Sequence, residues 1–420
     1  MGTSRTKSGT AFAAVIALFF AWGFISSNNE PLIASLRVTF ALGYGQALMT
    51  QLVFFAAFGV ASLPAAAVVD RWGTVTAICI SLATMIVGCL LVAAMTPYQR
   101  FDLILIALFV LGVGITSLQV AANPLAASLG RPEQKHFRLT LAQAFNSLGV
   151  VIGSNFGAEI LLAPALVHTV AEPARTMIGR GIALRAVASA FEIIALMLSG
   201  LLLLVYLARK RMRDASQVDE EQGIDRRSGP LVSKWTLLGM IAIALYVGAE
   251  VSIASIMINY LNQPAVLGVP LRTAGLYLGN IYWMGALIGR FAGSLLLLRI
   301  KAPRALLVAA ATATLLCLVV ISRSGAVAGY SALAIGLCNS IMFPTIFTLA
   351  LERSEAARSR TSGLLCLAIV GGAALPDLVG IIADRASLAI AFSVPMVAYA
   401  YIAIFAFLAA KARKVGPLQI

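Results

Sequence analysis

Ala11-Phe-Ala-Ala-Val-Ile-Ala-Leu-Phe-Phe-Ala-Trp22-Gly-Phe-Ile-Ser-Ser-Asn-Asn-Glu30-Pro31 is an apolar run that turns polar at its end and closes on a carboxylate and a proline. About 20 consecutive apolar residues make a helix that can cross a hydrocarbon core about 30 Å thick. Twelve such stretches follow one another, near residues 10–33, 46–69, 74–96, 101–124, 138–163, 184–208, 235–262, 273–298, 303–322, 326–351, 361–383 and 388–410. They are continuous rather than alternating apolar and polar, which selects helices over the strands of a barrel. The composition agrees: 60% of residues are hydrophobic and 11% charged, where soluble domains carry about a quarter charged. An all-α membrane protein with twelve transmembrane helices is expected, surrounded by a lipid bilayer. Arg5 and Lys7 precede the first run as in a signal peptide, but no soluble domain follows, so the run is read as a retained span.

A net charge of +14 would point to nucleic acid in a soluble chain. In a membrane protein the place of each Lys and Arg says more. With twelve spans and both termini in the cytoplasm, 22 of the 31 fall on the cytoplasmic side and eight on the other, while Arg290 lies within a span. Nucleic acid is therefore not an expected partner. Hydropathy collapses after Ala208 into Arg209-Lys-Arg-Met-Arg213 and Asp219-Glu-Glu221, then Asp225-Arg-Arg227. The organisation read from this is a six-helix bundle over 1–208, a cytoplasmic linker over 209–233 and a second six-helix bundle over 234–420. The linker charges read as a positive-inside anchor, or as a contact for anionic lipid or a regulator.

The halves look like weak repeats of each other, as in many transporters. Each carries an interior proline in its fourth span, Pro124 and Pro344, and a glycine-bearing fifth span 25 to 28 residues later, at Gly149 and at Gly371-Gly372. Cys79, Cys89, Cys317, Cys338 and Cys366 all fall inside spans without metal spacing, and read as small packing residues. His136 and His168 fall in loops and join no ligand set. No metal site, cofactor or catalytic residue is expected, because no nucleophile and base pair or phosphate loop occurs.

Polar residues at helical spacing mark faces able to line a cavity. Trp22, Ser26, Asn29 and Glu30 share one in the first span. An ionised acid at the centre of a membrane helix costs roughly 2.5–3.5 kcal/mol, so such acids face a partner or a wet cavity. Pro31 lacks an N–H and leaves the Ser27 carbonyl without its usual donor, so a broken helix is expected there. The other reading is a helix end at the outer surface. Gly112, Thr116, Gln119 and Asn123 share a face of the fourth span, and Gln143, Asn146, Ser147 and Ser154 one of the fifth. These neutral donors and acceptors suit a polyhydroxylated neutral ligand, or else bond helix to helix.

In the second half, Tyr246 and Glu250 share a face of the seventh span, next to one with Gly248, Ser252, Ser255 and Asn259. Asn280, Tyr282 and Trp283 precede Gly285, Gly289 and Gly293 in the eighth, glycines whose spacing permits close helix approach. The aromatics could stack on the apolar face of a sugar ring. Asp377 is a third intramembrane acid, after Pro376. Arg290 either neutralises a carboxylate or, as the reading preferred here, anchors its helix end by snorkelling.

On the stretches Leu118-Gln-Val-Ala-Ala-Asn-Pro124, Leu141-Ala-Gln-Ala-Phe-Asn-Ser-Leu-Gly149, Tyr246-Val-Gly-Ala-Glu-Val-Ser-Ile253, Phe343-Pro-Thr-Ile-Phe-Thr-Leu349 and Gly363-Leu-Leu-Cys-Leu-Ala-Ile-Val-Gly-Gly372, the chain resembles the major facilitator superfamily. Within it the chain is similar to the fucose permease and glucose/galactose transporter group of bacterial sugar:proton symporters. The resemblance implies that Glu30 and Gln119 match the coupling acids of fucose permeases, which have an aspartate and a glutamate there. Gln119, with Glu250 where fucose permeases tend to have glutamine, looks like the glucose/galactose branch.

Proton-coupled uptake of a neutral monosaccharide by alternating access is the expectation that results, in the bacterial inner membrane and as a monomer. H⁺ is the expected driving ion, with Na⁺ the alternative. Glu30, Glu250 and Asp377 are the candidate coupling acids, and Trp22, Asn29, Gln119, Asn123, Gln143, Asn146, Asn280 and Trp283 the candidate substrate contacts. Two rivals are an antiporter exporting a drug or metabolite, which resistance assays discriminate, and a non-transporting sugar sensor, disfavoured because no signalling domain is attached.

Overall fold

The computed structural model describes residues 2–42, 44–162, 177–220 and 230–412, and the described residues are helical throughout their ordered elements. Among the described residues, ten stretches are long and apolar enough to cross a membrane: 11–37, 49–72, 74–98, 101–128, 180–210, 234–262, 302–322, 325–353, 358–385 and 388–411. The two other expected spans are helical as well. The fifth is Lys135–Gly157 with a π-helical turn at Ala158–Leu162, and the eighth is Leu271–Tyr277, a π-helical segment Leu278–Trp283 and Met284–Leu296. The polar residues that mark these two as candidate site helices are the reason they are less apolar. Leu196, Leu207, Val308 and Val397 stand exposed on the outside of their helices. Such apolar exteriors belong against lipid, where backbone groups must be satisfied within the helices.

The sequence places a linker from residue 209, but the sixth-span helix runs on as Met177–Glu220. Arg, Lys, Met, Gln and Glu are good helix formers, and no Gly or Pro interrupts them before residue 223. Hydropathy marks where the lipid ends, not where the helix ends. His136 is likewise not in a loop: it sits in the first turn of Lys135–Gly157, buried, with Nδ1 2.7 Å from Thr348 Oγ1. His168 lies outside the described residues.

The chain forms two compact units, one of residues 1–130 and 145–221, the other of residues 131–144 and 222–420. In the first unit, the first and fifth spans meet along glycines. A Cβ at Gly149 would collide with the Phe20 carbonyl, one at Gly153 with the Phe24 carbonyl, and one at Gly23 with the Asn146 carbonyl. The second unit repeats the device between its seventh and eleventh spans, where Gly371 presses on Ala244 and Gly248 on Leu375. Its eighth and tenth spans interlock similarly: Gly336 meets the Tyr282 carbonyl, Gly289 meets Ser340 and Gly293 meets Ile341. Close glycine contacts fix helix against helix, and thereby the polar groups they carry. All five cysteines lie within helices.

Candidate functional site

The first span breaks where Pro31 predicts. Its helix Gly2–Ser27 stops at Asn28, and a second helix starts as Asn29–Phe40. Asn28 Nδ2 donates to the Phe24 carbonyl at 2.6 Å, and Asn28 O accepts from Leu32 N at 3.0 Å. Trp22 is buried against Phe19, ring centroids 5.3 Å apart. Asn29 Oδ1 is buried and has no partner among the described residues. Glu30 takes its place in the backbone of Asn29–Phe40, and its side chain lies outside the described residues.

Across from this break, Asn146 Nδ2 donates to the Phe19 carbonyl at 3.0 Å and bolts the fifth span to the first. Asn146 is therefore an interhelical clamp through that amide. In the fourth span, Asn123 is fully buried and neither its Nδ2 nor its Oδ1 meets a partner among the described residues; Gln119 Oε1 is in the same state. A buried amide without partners costs about 1–3 kcal/mol per group, so the pair is an expense without a structural return. Gly112 and Thr116 drop out of this open face. Gly112 packs on Ala57, and Thr116 Oγ1 donates to its own helix at the Gly112 carbonyl, 2.9 Å away. Gln143 is buried too, in the part of the fifth span that groups with the second unit.

The second unit closes its polar interior into a network. The Tyr246 hydroxyl donates to Glu250 Oε1 at 2.8 Å and lies 3.2 Å from the Asn339 carbonyl. Arg290 Nη2 stands 3.9 Å from the same Oε1, and Arg290 Nε donates to the Ser340 carbonyl at 3.3 Å. Asn339 Nδ2 donates to the Tyr282 hydroxyl at 2.9 Å. The tenth span is broken here, between Gly325–Asn339 and Met342–Arg353, and the break frees the two carbonyls that Tyr246 and Arg290 reach. Arg290 thus neutralises Glu250, where the sequence reading preferred a snorkelling anchor. The glycines at 289 and 293 explain the reach: they bring the eighth span against Ser340 and Ile341.

Asn339 and the fully buried Tyr399, which lies beside it, are site residues that sequence reasoning left out, although Asn339 carried a signal as an amide inside an apolar span. Tyr282, read from the sequence as an aromatic able to stack on a sugar ring, accepts from Asn339 through its hydroxyl. Ser252 and Ser255 spend their hydroxyls on their own helix, on the Gly248 and Val251 carbonyls, and the glycine beside them is a packing contact. Asn280 and Trp283 are exposed on the π-helical segment, with Trp283 edge-on to Tyr282 at 5.1 Å. Asp377 is exposed. A second charge cluster ties Glu352 to Lys135 at 2.8 Å, to Arg353 at 2.9 Å and to His136 at 3.7 Å. Among the described residues no group of His, Cys, Asp and Glu could hold a metal.

Twelve spans, helices broken at polar residues and buried hydrogen-bonding groups left open define a multi-pass membrane transporter rather than an enzyme. The sequence profile of the Major Facilitator Superfamily matches residues 10–376, and the chain belongs to that family. It is 40% identical over 413 residues to the glucose/galactose transporter of Brucella abortus, covering 97% of this chain and 96% of that one. It is 28% identical over 414 residues to the L-fucose-proton symporter of Escherichia coli, covering 94% and 92%. The crystal structure of the E. coli fucose:proton symporter superposes with a TM-score of 0.80 at 24% identity, over 96% of this chain and 98% of that one, and so shares its fold. The relatives are bacterial, and the chain is a multi-pass inner-membrane protein.

Proposed function

We propose that the protein takes up a neutral hexose together with a proton by alternating access, as a monomer with both termini in the cytoplasm. Its working parts are the two six-span halves, 1–208 and 234–420, joined through 209–233. The observation that carries the reading is Asn123, fully buried with both amide atoms unpartnered among the described residues, beside Gln119 with its Oε1 in the same state. Neutral amides that are desolvated yet unused gain most from a ligand rich in hydroxyls and without charge. The names of the relatives, a glucose/galactose transporter and an L-fucose-proton symporter, support the same ligand class and the same ion.

Glu30 is the assigned proton carrier. It follows the break of the first span, the kind of irregular backbone that membrane proteins keep where a cavity or protein surrounds it. Trp22 and Asn29 would contact the sugar from the same segment, Gln143 and Asn146 from the fifth span, and Asn280 and Trp283 from the eighth. Asp377 and Glu250 are the other acids able to carry the proton.

The test is uptake of D-glucose, D-galactose and L-fucose into proteoliposomes under an imposed pH gradient. Wild type is expected to concentrate at least one of them. Glu30→Gln is expected to exchange labelled for unlabelled sugar and to lose accumulation. Accumulation that survives Glu30→Gln removes Glu30 as the carrier, and accumulation driven by Na⁺ alone replaces the ion.

A further inference from the structure

We propose that Glu250 is the hydroxyl-accepting anchor of the substrate in the second unit, and that Arg290 is the positioning residue that holds it, the ligand being a neutral polyol. This rests on the transport reading above and gives its site a residue and a chemistry. Both scaffold contacts of the carboxylate fall on one oxygen: Oε1 accepts from Tyr246 at 2.8 Å and faces Arg290 Nη2 at 3.9 Å. Oε2 meets no partner among the described residues, and the side chain keeps 15% of its surface open. A carboxylate gripped from behind through one oxygen presents the other as a fixed acceptor, and hydrogen bonds from O–H donors to it are charge-assisted.

Arg290 is fixed in turn. Its Nε is engaged by the Ser340 carbonyl, freed by the break in the tenth span, so the guanidinium spans two helices and cannot follow the carboxylate elsewhere without losing a bond. The backbone is irregular on both sides of the pair, at the π-helical segment Leu278–Trp283 and at Ser340–Ile341. Single π-helical turns inside helices recur at functional sites. Further polar groups are buried at the same break: Asn339 and the Tyr399 hydroxyl lie side by side there. The charges of Glu250 and Arg290 balance, so a cation would meet the guanidinium and an anion the carboxylate. A ligand of many hydroxyls and no charge meets neither penalty.

The experiment measures binding and exchange of D-glucose, D-galactose and their monofluoro-deoxy analogues by the full-length protein in nanodiscs and proteoliposomes. Fluorine accepts but cannot donate, so it deletes the bond to Glu250 and little else. In wild type one fluoro position is expected to lose about tenfold in affinity, and in Glu250→Gln the parent sugar loses about tenfold while that fluoro penalty shrinks. Arg290→Met is expected to weaken binding at least as much as Glu250→Gln, and the double variant no more than Glu250→Gln alone, since Arg290 reaches the ligand through the carboxylate it positions. Arg290→Lys restores binding to within about threefold of wild type, which a lost packing contact would not predict.

Additive losses in the double variant, or an unchanged fluoro penalty in Glu250→Gln, overturn the assignment while sugar transport stands. Loss of accumulation with binding intact makes Glu250 the carrier and also overturns it. Should Arg290→Met fail to fold, Tyr246→Phe carries the test, with a loss of about threefold expected and wild-type affinity refuting the grip on Oε1. A wild type that neither binds nor exchanges any of the sugars brings down the hexose reading, and the anchor with it.

Discussion

The two units solve one packing problem alike and one chemical problem differently. Glycines press the fifth span on the first in one unit and the eleventh on the seventh in the other, at Gly149 and Gly153 and at Gly371 and Gly248. What these scaffolds hold differs. The first unit keeps the amides of Asn123 and Gln119 open, whereas the second spends its Tyr246, Glu250, Arg290, Asn339 and Tyr282 on one another. Open groups raise the energy of the empty protein and wait for a ligand; closed networks fix geometry and present what remains, here Glu250 Oε2. One half is built to be completed, the other to be rigid.

The shared scaffold gives the largest expected effect. Gly149→Val and Gly371→Val each drive a side chain into a neighbouring helix, so each should destabilise by about 1–3 kcal/mol or prevent recovery of folded protein. Gly200→Val, where nothing lies within 4 Å, is the control. Thermal unfolding in detergent measures all three. A tolerant Gly371 beside an intolerant Gly149 would break the likeness of the halves.

Next in size is the contrast of the two asparagines. Asn123→Leu removes no hydrogen bond formed with the described residues, so it should leave stability equal or higher while weakening sugar binding about tenfold. Asn339→Leu deletes the bond to Tyr282 and should cost about 1 kcal/mol of stability. Equal destabilisation by both would show that Asn123 is structural after all.

Which parts of this were legible beforehand follows from what the letters encode. Apolar runs fixed by bilayer thickness are visible in one dimension, and so is the break at Pro31, because a missing N–H is a local fact. Tyr246 and Glu250 meet at i and i+4 and were readable as one face. Arg290 was not: it lies on another span, and only the glycine contacts at 289 and 293, known in three dimensions, bring it to Glu250 and Ser340. The two fourth-span prolines show the limit most plainly. Pro124 sits inside the continuous helix Phe101–Ser128, while Pro344 opens the helix Met342–Arg353, where its missing N–H costs nothing. The same letter marks a tolerated interruption in one half and a break in the other.

The smallest expected effect separates faces that look alike in sequence. Thr116 and Ser252 fall on the polar stripes of their spans, yet each hydroxyl donates to the carbonyl four residues before it, at 2.9 and 2.6 Å. Such bonds satisfy the hydroxyl within its own helix and leave nothing owed to a ligand. Thr116→Val and Ser252→Ala should therefore change stability by about 0.5 kcal/mol or less and leave sugar affinity where it was. The comparison is informative because Thr116 is one helical turn from Gln119, so a tenfold loss of affinity in Thr116→Val would extend the open face of the first unit by that turn. Unchanged affinity would confine the face to Gln119 and Asn123, whose buried amide atoms are left open among the described residues.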